Sequence, residues 1–147
     1  MNYLVTGANG TVGRGLVEIL LENGHNIVAL VRDQPDISAE DRMLSSLGID
    51  HSPPNLIVVT GDIEQDKCGL SDDDFAFLKQ TVDKVIHVAA NVNFIDDGSG
   101  SIHRTNVIGT ENVLKVAELI GHPDFYYVST IFVIGNAVEL DETKNWG

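Results

Sequence analysis

Gly7, Gly10 and Gly13 stand three residues apart in the stretch VTGANGTVG, directly after the apolar run NYL. Three positions without side chains, set between a strand-like and a helix-like segment, suit a backbone that must come close to a large anion. Gly7 permits a tight turn, Gly10 admits a pyrophosphate to the backbone, and Gly13 allows the helix to pack close to the sheet. The following helix would offer its free N–H groups and positive dipole end to that anion. Further on, Arg32 follows a second apolar run, NIVALV at 26–31. A dinucleotide site usually reads the adenosine ribose there with a carboxylate, but this chain has Val31 and then Arg32. A guanidinium suits a 2′-phosphate through paired charge-assisted hydrogen bonds, so these residues point to NADP over NAD. Asp33 is the competing group, able to pair with Arg32 or to bind a ribose itself.

The elements that must position these residues follow from the hydrophobic pattern. Short apolar runs at 2–6, 26–31, 55–60, 83–89 and 124–129 read as strands, and their near-continuous hydrophobicity suits parallel strands covered on both faces. Helical periods fill 11–23, 38–48, 71–81 and 101–121. In the first of these, Val12, Leu16, Ile19 and Leu20 form a stripe, and Asn23-Gly24 gives a stop signal. Ser71 before three aspartates reads as an N-cap with acids in the first turn. Alternating strands and helices predict right-handed crossovers and a Rossmann-type, doubly wound α/β parallel sheet of five strands in the order 3-2-1-4-5. No interdomain linker is visible, so residues 1–147 form one nucleotide-binding unit.

Composition narrows the remaining possibilities. With 43% hydrophobic and 21% charged residues the chain reads as a globular domain, and no apolar run is long enough to span a membrane. A net charge of −13 opposes nucleic acid and anionic membranes as partners. The same charge means that a phosphorylated cofactor needs concentrated local donors. Cys68 is the sole cysteine, which fits a reducing cytoplasmic setting, and the histidines lack metal-ligand spacing. His87 reads as a hydrogen-bonded strand-end histidine, and Cys68, with only Lys67 beside it, as inert.

The spacing Thr-Gly-x-x-Gly-x-x-Gly resembles the loop of the extended short-chain dehydrogenase/reductases. The segment GDIEQDKCGLSDDDFAFLKQTVDKVIHVAANVNF at 61–94, followed by TNVIGTENVL at 105–114 and YYVST at 126–130, narrows the likeness. It is similar to thioester reductases, carboxylic acid reductases and fatty acyl-CoA reductases, the male-sterility-type branch. The resemblance implies an oxidoreductase that moves hydride from NADPH to a carbonyl, with an acyl thioester, small or carrier-bound, reduced to an aldehyde. It implies cofactor contacts from Gly7, Asn9, Gly10, Thr11, Val12 and Gly13. Arg32 and Arg42 would meet the phosphate, Asp62 and Ile63 the adenine, and Ala89, Ala90 and Asn91 the nicotinamide-side ribose. Asn106 matches an asparagine beside the active site. By the match to VST, Thr130 is the hydroxyl that positions the substrate carbonyl, with Ser129 as the alternative.

Such reductases also use a Tyr-x-x-x-Lys pair, because charge builds on the carbonyl oxygen as hydride arrives and an oriented acid must neutralise it. Four residues beyond Tyr3, Tyr126 and Tyr127 stand Gly7, Thr130 and Ile131, so no such pair occurs within the 147 residues. The expectation is therefore an incomplete reductase whose C-terminal part is absent, with a non-catalytic NADP sensor as the alternative. An uncovered edge at the fifth strand would favour self-association.

Overall fold

The strands β1 (Asn2–Thr6), β2 (Asn26–Val31), β3 (Leu56–Thr60), β4 (Lys84–His87) and β5 (Asp124–Tyr127) form one parallel sheet in the order β3-β2-β1-β4-β5. A computed structural model describes residues 1–129 apart from Phe94, Asp96 and His122. The predicted order and three of the five strand positions hold closely, while β4 is shorter than the expected 83–89. β5 is shorter than the expected 124–129, although the Val128 N–H still donates to the His87 carbonyl at 2.9 Å.

Side chains of β2 alternate between two cores, which is why both faces of the sheet need cover. Val28 and Leu30 join Leu4, Val59 and Val85 on one face. That face is closed by Leu78 of α3 (Asp72–Thr81) and by Val113, Val116 and Ile120 of α5 (Gly109–Ile120). On the opposite face Ile27, Ala29 and Val31 join Val5. Val17 of α1 (Thr11–Glu22) and Met43 of α2 (Ala39–Leu47) close that side.

Local signals explain the helix limits. α1 starts at Gly10 and ends where the Asn23 side-chain amide donates to the Ile19 carbonyl, with Gly24 in the left-handed region. Its buried face differs from the predicted stripe. Gly13 and Val17 point inward, whereas Val12 and Ile19 are 61% and 59% exposed. The close approach at Gly13 decides the rotation, and Val12 lies one position off that face. Ser71 forms the expected cap of α3, here a full capping box with Asp74.

The helix predicted over 101–121 is interrupted. A short α4 (Ser101–His103) leads into a π-helical turn at Arg104–Ile108 and then into α5, with helical backbone angles at His103, Arg104, Ile108 and Gly109. One local and one tertiary contact lie at this turn. The Thr110 hydroxyl donates to the Asn106 carbonyl at 2.8 Å, and Gly109 packs on Ile63 so closely that a Cβ would lie 2.8 Å from the Ile63 Cδ1. A second unpredicted feature is the 3₁₀ turn Asp66–Gly69, where Lys67 and Cys68 take left-handed φ values of 49° and 58°.

Candidate functional site

Because all five strands run the same way, the segments that follow them share the carboxyl edge of the sheet. The order reverses between β1 and β4, and in open parallel sheets such a reversal is where ligands bind. The glycine loop lies there. Gly7 has φ +69°, and a Cβ on it would come within 2.6 Å of the Ala89 backbone nitrogen. Gly7 is thus required twice, by its turn and by its approach to the segment after β4.

The other two glycines act differently from expectation. A Cβ on Gly13 would sit 2.0 Å from the Gly7 carbonyl oxygen, so its close partner is the loop itself rather than the sheet. Gly10 has φ −80° and ψ 170°, angles open to any residue, and a Cβ would meet only the Gly7 carbonyl at 3.3 Å. Gly10 therefore owes nothing to backbone freedom; what it leaves is space on the exposed side of the loop. It caps α1 without any side-chain hydrogen bond, and Gly10, Thr11 and Val12 are exposed around that helix start while Asn9 is half-buried.

At the ends of β2 and β3 a cleft of about 340 Å³ is lined by Arg32, Asp33, Thr60, Asp62 and Gln65, among others. The Arg32 guanidinium is 56% exposed and lies 3.8 Å from the Asp62 carboxylate, a screened and weak pair. Arg42 donates to the Arg32 backbone carbonyl, so it touches the backbone of Arg32 without itself lining the cleft. Asp33 does not pair with Arg32. Its carboxylate accepts the Ala39 N–H at 2.7 Å at the start of α2. Asp62 is tied down as well, accepting the Glu64 N–H at 3.0 Å and donating its own N–H to the Cys68 carbonyl at 2.9 Å. The Ile63 side chain is withdrawn into the core, leaving only its backbone for any ligand contact. Its carbonyl accepts from the buried Asn112 amide at 2.8 Å.

On the β4 side, Ala89 packs on Gly7 and Ala90 is exposed. Asn91 and Asn106 meet through a two-way clamp: the Asn91 N–H donates to the Asn106 side-chain oxygen at 2.7 Å, and the Asn106 amide returns to the Asn91 carbonyl at 2.9 Å. Thr130 lies outside the described residues. Ser129 is exposed, two residues past β5.

His87 is fully buried, with ring nitrogens 2.6 Å from the Thr6 hydroxyl and 3.0 Å from that of Thr110. Burial pushes its pKa down to about 4, so the ring is neutral at ordinary pH. The Cys68 thiol is pushed up to about 12 by burial and then by the Asp62 and Asp66 carboxylates, which leaves it protonated and unreactive. Sequence reasoning missed Thr6, Thr110 and Asn112. Thr6 and His87 did leave a trace, as polar residues ending two strands otherwise built from apolar ones.

The chain belongs to the male sterility protein family. The match covers residues 5–145. It is 26% identical over 155 aligned positions to fatty acyl-CoA reductase 1 of Mus musculus, covering 96% of this chain and 30% of that protein. The terminal R domain of the myxalamid PKS-NRPS pathway superposes with a TM-score of 0.80 at 30% identity, covering 98% of this chain and 38% of that one. A thiolation-reductase di-domain from an archaeal non-ribosomal peptide synthetase gives a TM-score of 0.76 at 27% identity, over 91% and 29% of the two chains. The chain thus spans well under half the length of each. The family is a nucleotide-binding one, of NAD(P)-dependent reductases with a Rossmann-type fold. Among the described residues, no helix is long and apolar enough to cross a membrane.

Proposed function

We propose that residues 1–147 form the NADP(H)-holding unit of a reductase that converts an acyl thioester, carrier-bound or small, to an aldehyde. The observation that carries this reading is the tight glycine loop at the start of α1. Gly7 and Gly13 fold the loop so tightly that no Cβ fits, while Gly10 leaves an exposed, uncapped helix start free for a pyrophosphate. Along the same edge Arg32, held at its backbone carbonyl by Arg42, offers the guanidinium that lines the cleft, and so suits a 2′-phosphate. Asp62 and the Ile63 backbone would hold the adenine, and Ala89, Ala90 and Asn91 the nicotinamide-side ribose. When bound, the dinucleotide supplies a hydride to the acyl carbon, which with one proton turns a thioester into an aldehyde and a free thiol. Thr130, or Ser129 beside it, orients the carbonyl oxygen as charge builds there. The acyl thioester rests on the relatives, among them a fatty acyl-CoA reductase and a reductase domain joined to a thiolation domain.

Calorimetric titration of the chain with NADPH and NADH tests the cofactor. Arginine–phosphate contacts are charge-assisted, but Arg32 is half-exposed and already faces Asp62, so the preference for NADPH should be about tenfold. Arg32→Ala should remove that preference and leave NADH binding in place. Equal affinities in the unmodified chain would withdraw Arg32 from the site.

A further inference from the structure

Thr6, His87 and Thr110 lie inside the carboxyl edge of the sheet, and none of them is among the candidate ligand contacts. Thr6 ends β1 one residue before the glycine loop, His87 ends β4 as its register partner, and Thr110 lies in the first turn of α5. The His87 ring is stacked on Tyr127 at 5.3 Å and tilted against Phe125 at 6.3 Å. Its two nitrogens are 2.6 Å and 3.0 Å from the Thr6 and Thr110 hydroxyl oxygens.

The protons can be placed by counting donors. The single Thr110 hydroxyl hydrogen goes to the Asn106 carbonyl at 2.8 Å, so towards the ring this hydroxyl can only accept. Nε2 therefore carries the ring proton. Nδ1 then accepts from the Thr6 hydroxyl, whose oxygen in turn accepts the Ala89 N–H at 3.4 Å. The opposite tautomer would strand the Thr6 hydroxyl hydrogen in a residue 1% exposed, and would ask Thr110 to donate twice. One direction satisfies every group.

This chain of bonds joins the parts of the edge that must stay in register. At one end are Thr6 and Ala89, beside the close Gly7–Ala89 approach. At the other is Asn106 in the π-helical turn, whose side chain clamps both backbone groups of Asn91.

We propose that His87 is a positioning residue: a neutral Nε2–H ring that locks the π-helical turn carrying Asn106, and through it Asn91, in register with the glycine loop. Only the ligand-affinity part of its test rests on the dinucleotide reading. The bond directions do not.

Nitrogen-15 NMR of the histidine rings in the full chain tests the lock directly. The expected spectrum has Nε2 protonated and Nδ1 bare, unchanged from about pH 8 to about pH 5. The side chains around the ring are Thr6, Thr110, Phe125 and Tyr127, none of them a carboxylate or a cation. A proton on Nδ1, or a ring that titrates near the ordinary histidine value, would overturn the proposal. Thr110→Val removes the hydroxyl at constant shape, and Thr110→Ser keeps it. The valine variant should shift the side-chain amide resonances of Asn91 and Asn106 and weaken NADPH binding about tenfold, with serine restoring both. Unmoved Asn91 and Asn106 resonances in Thr110→Val would also overturn it. If the unmodified chain binds no NADPH, the dinucleotide reading fails, and the ring and amide resonances still decide the role of His87.

Discussion

Gly10 and Gly13 look alike in the sequence and are not alike in the fold. A methyl group on Gly13 would have to enter the van der Waals radius of the Gly7 carbonyl, whereas the space beside Gly10 is open but for a 3.3 Å contact. Gly13→Ala should therefore destabilise the chain by about 3 kcal/mol or more in urea denaturation. Gly10→Val should lose only about 1 kcal/mol, as a weaker N-cap, and still fold. The same Gly10→Val variant should lose NADPH binding, because its side chain fills the space left for the pyrophosphate. A variant that binds normally would move the cofactor elsewhere. The glycine spacing was legible as a loop, but the separate reason for each glycine was not, since both reasons depend on where Gly7 folds back. Arg32 and Asp33 make the same point. Spacing placed both at the end of β2, and only the α2 start shows that Asp33 is occupied by the Ala39 N–H.

The strands and most helices were readable because their signals are local: apolar runs for β1 to β4, Asn23-Gly24 after α1, Ser71 before α3. The π-helical turn at Arg104–Ile108 was not, because its neighbours are distant in sequence. Ile63 packs on Gly109, and the Glu64 carboxylate accepts the Thr105 hydroxyl at 2.5 Å, both across some forty residues. The left-handed Lys67 and Cys68 were equally hidden, with Gly69 the only residue there that suggests such a backbone. Asn112 binds these pieces together by donating from the buried face of α5 to the Ile63 carbonyl. Asn112→Ala would leave that carbonyl buried and unpaired, so the chain should lose about 1–3 kcal/mol in chemical denaturation. Amide exchange should quicken at Asp62–Glu64 before it does in β1 and β2. Equal exchange everywhere would mean that Asn112 supports the core in general rather than this loop.

A chain of net charge −13 that holds an anionic dinucleotide must concentrate its attraction at one edge, and the parallel sheet does so by ending all its strands there. His87 makes the assembly of that edge sensitive to acid. Its pKa falls from 6.5 to about 4 on folding, by burial, so the unfolded chain binds the extra proton first. The stabilisation is complete above about pH 6.5 and is lost as pH falls towards 4, a change of the order of 3 kcal/mol. Denaturation midpoints across that range should fall more steeply for the unmodified chain than for His87→Phe; parallel curves would show a ring that does not resist protonation. The central claim, that the carboxyl edge of this sheet is a dinucleotide site, is met most directly by mapping amide chemical shifts as NADPH is added. The largest shifts are expected at Gly7, Gly10, Thr11, Arg32, Asp62 and Ala89, with Leu44, Ser45 and Ile49 near the far end of α2 unmoved. Shifts concentrated at that far end, or none at saturating NADPH, would contradict it.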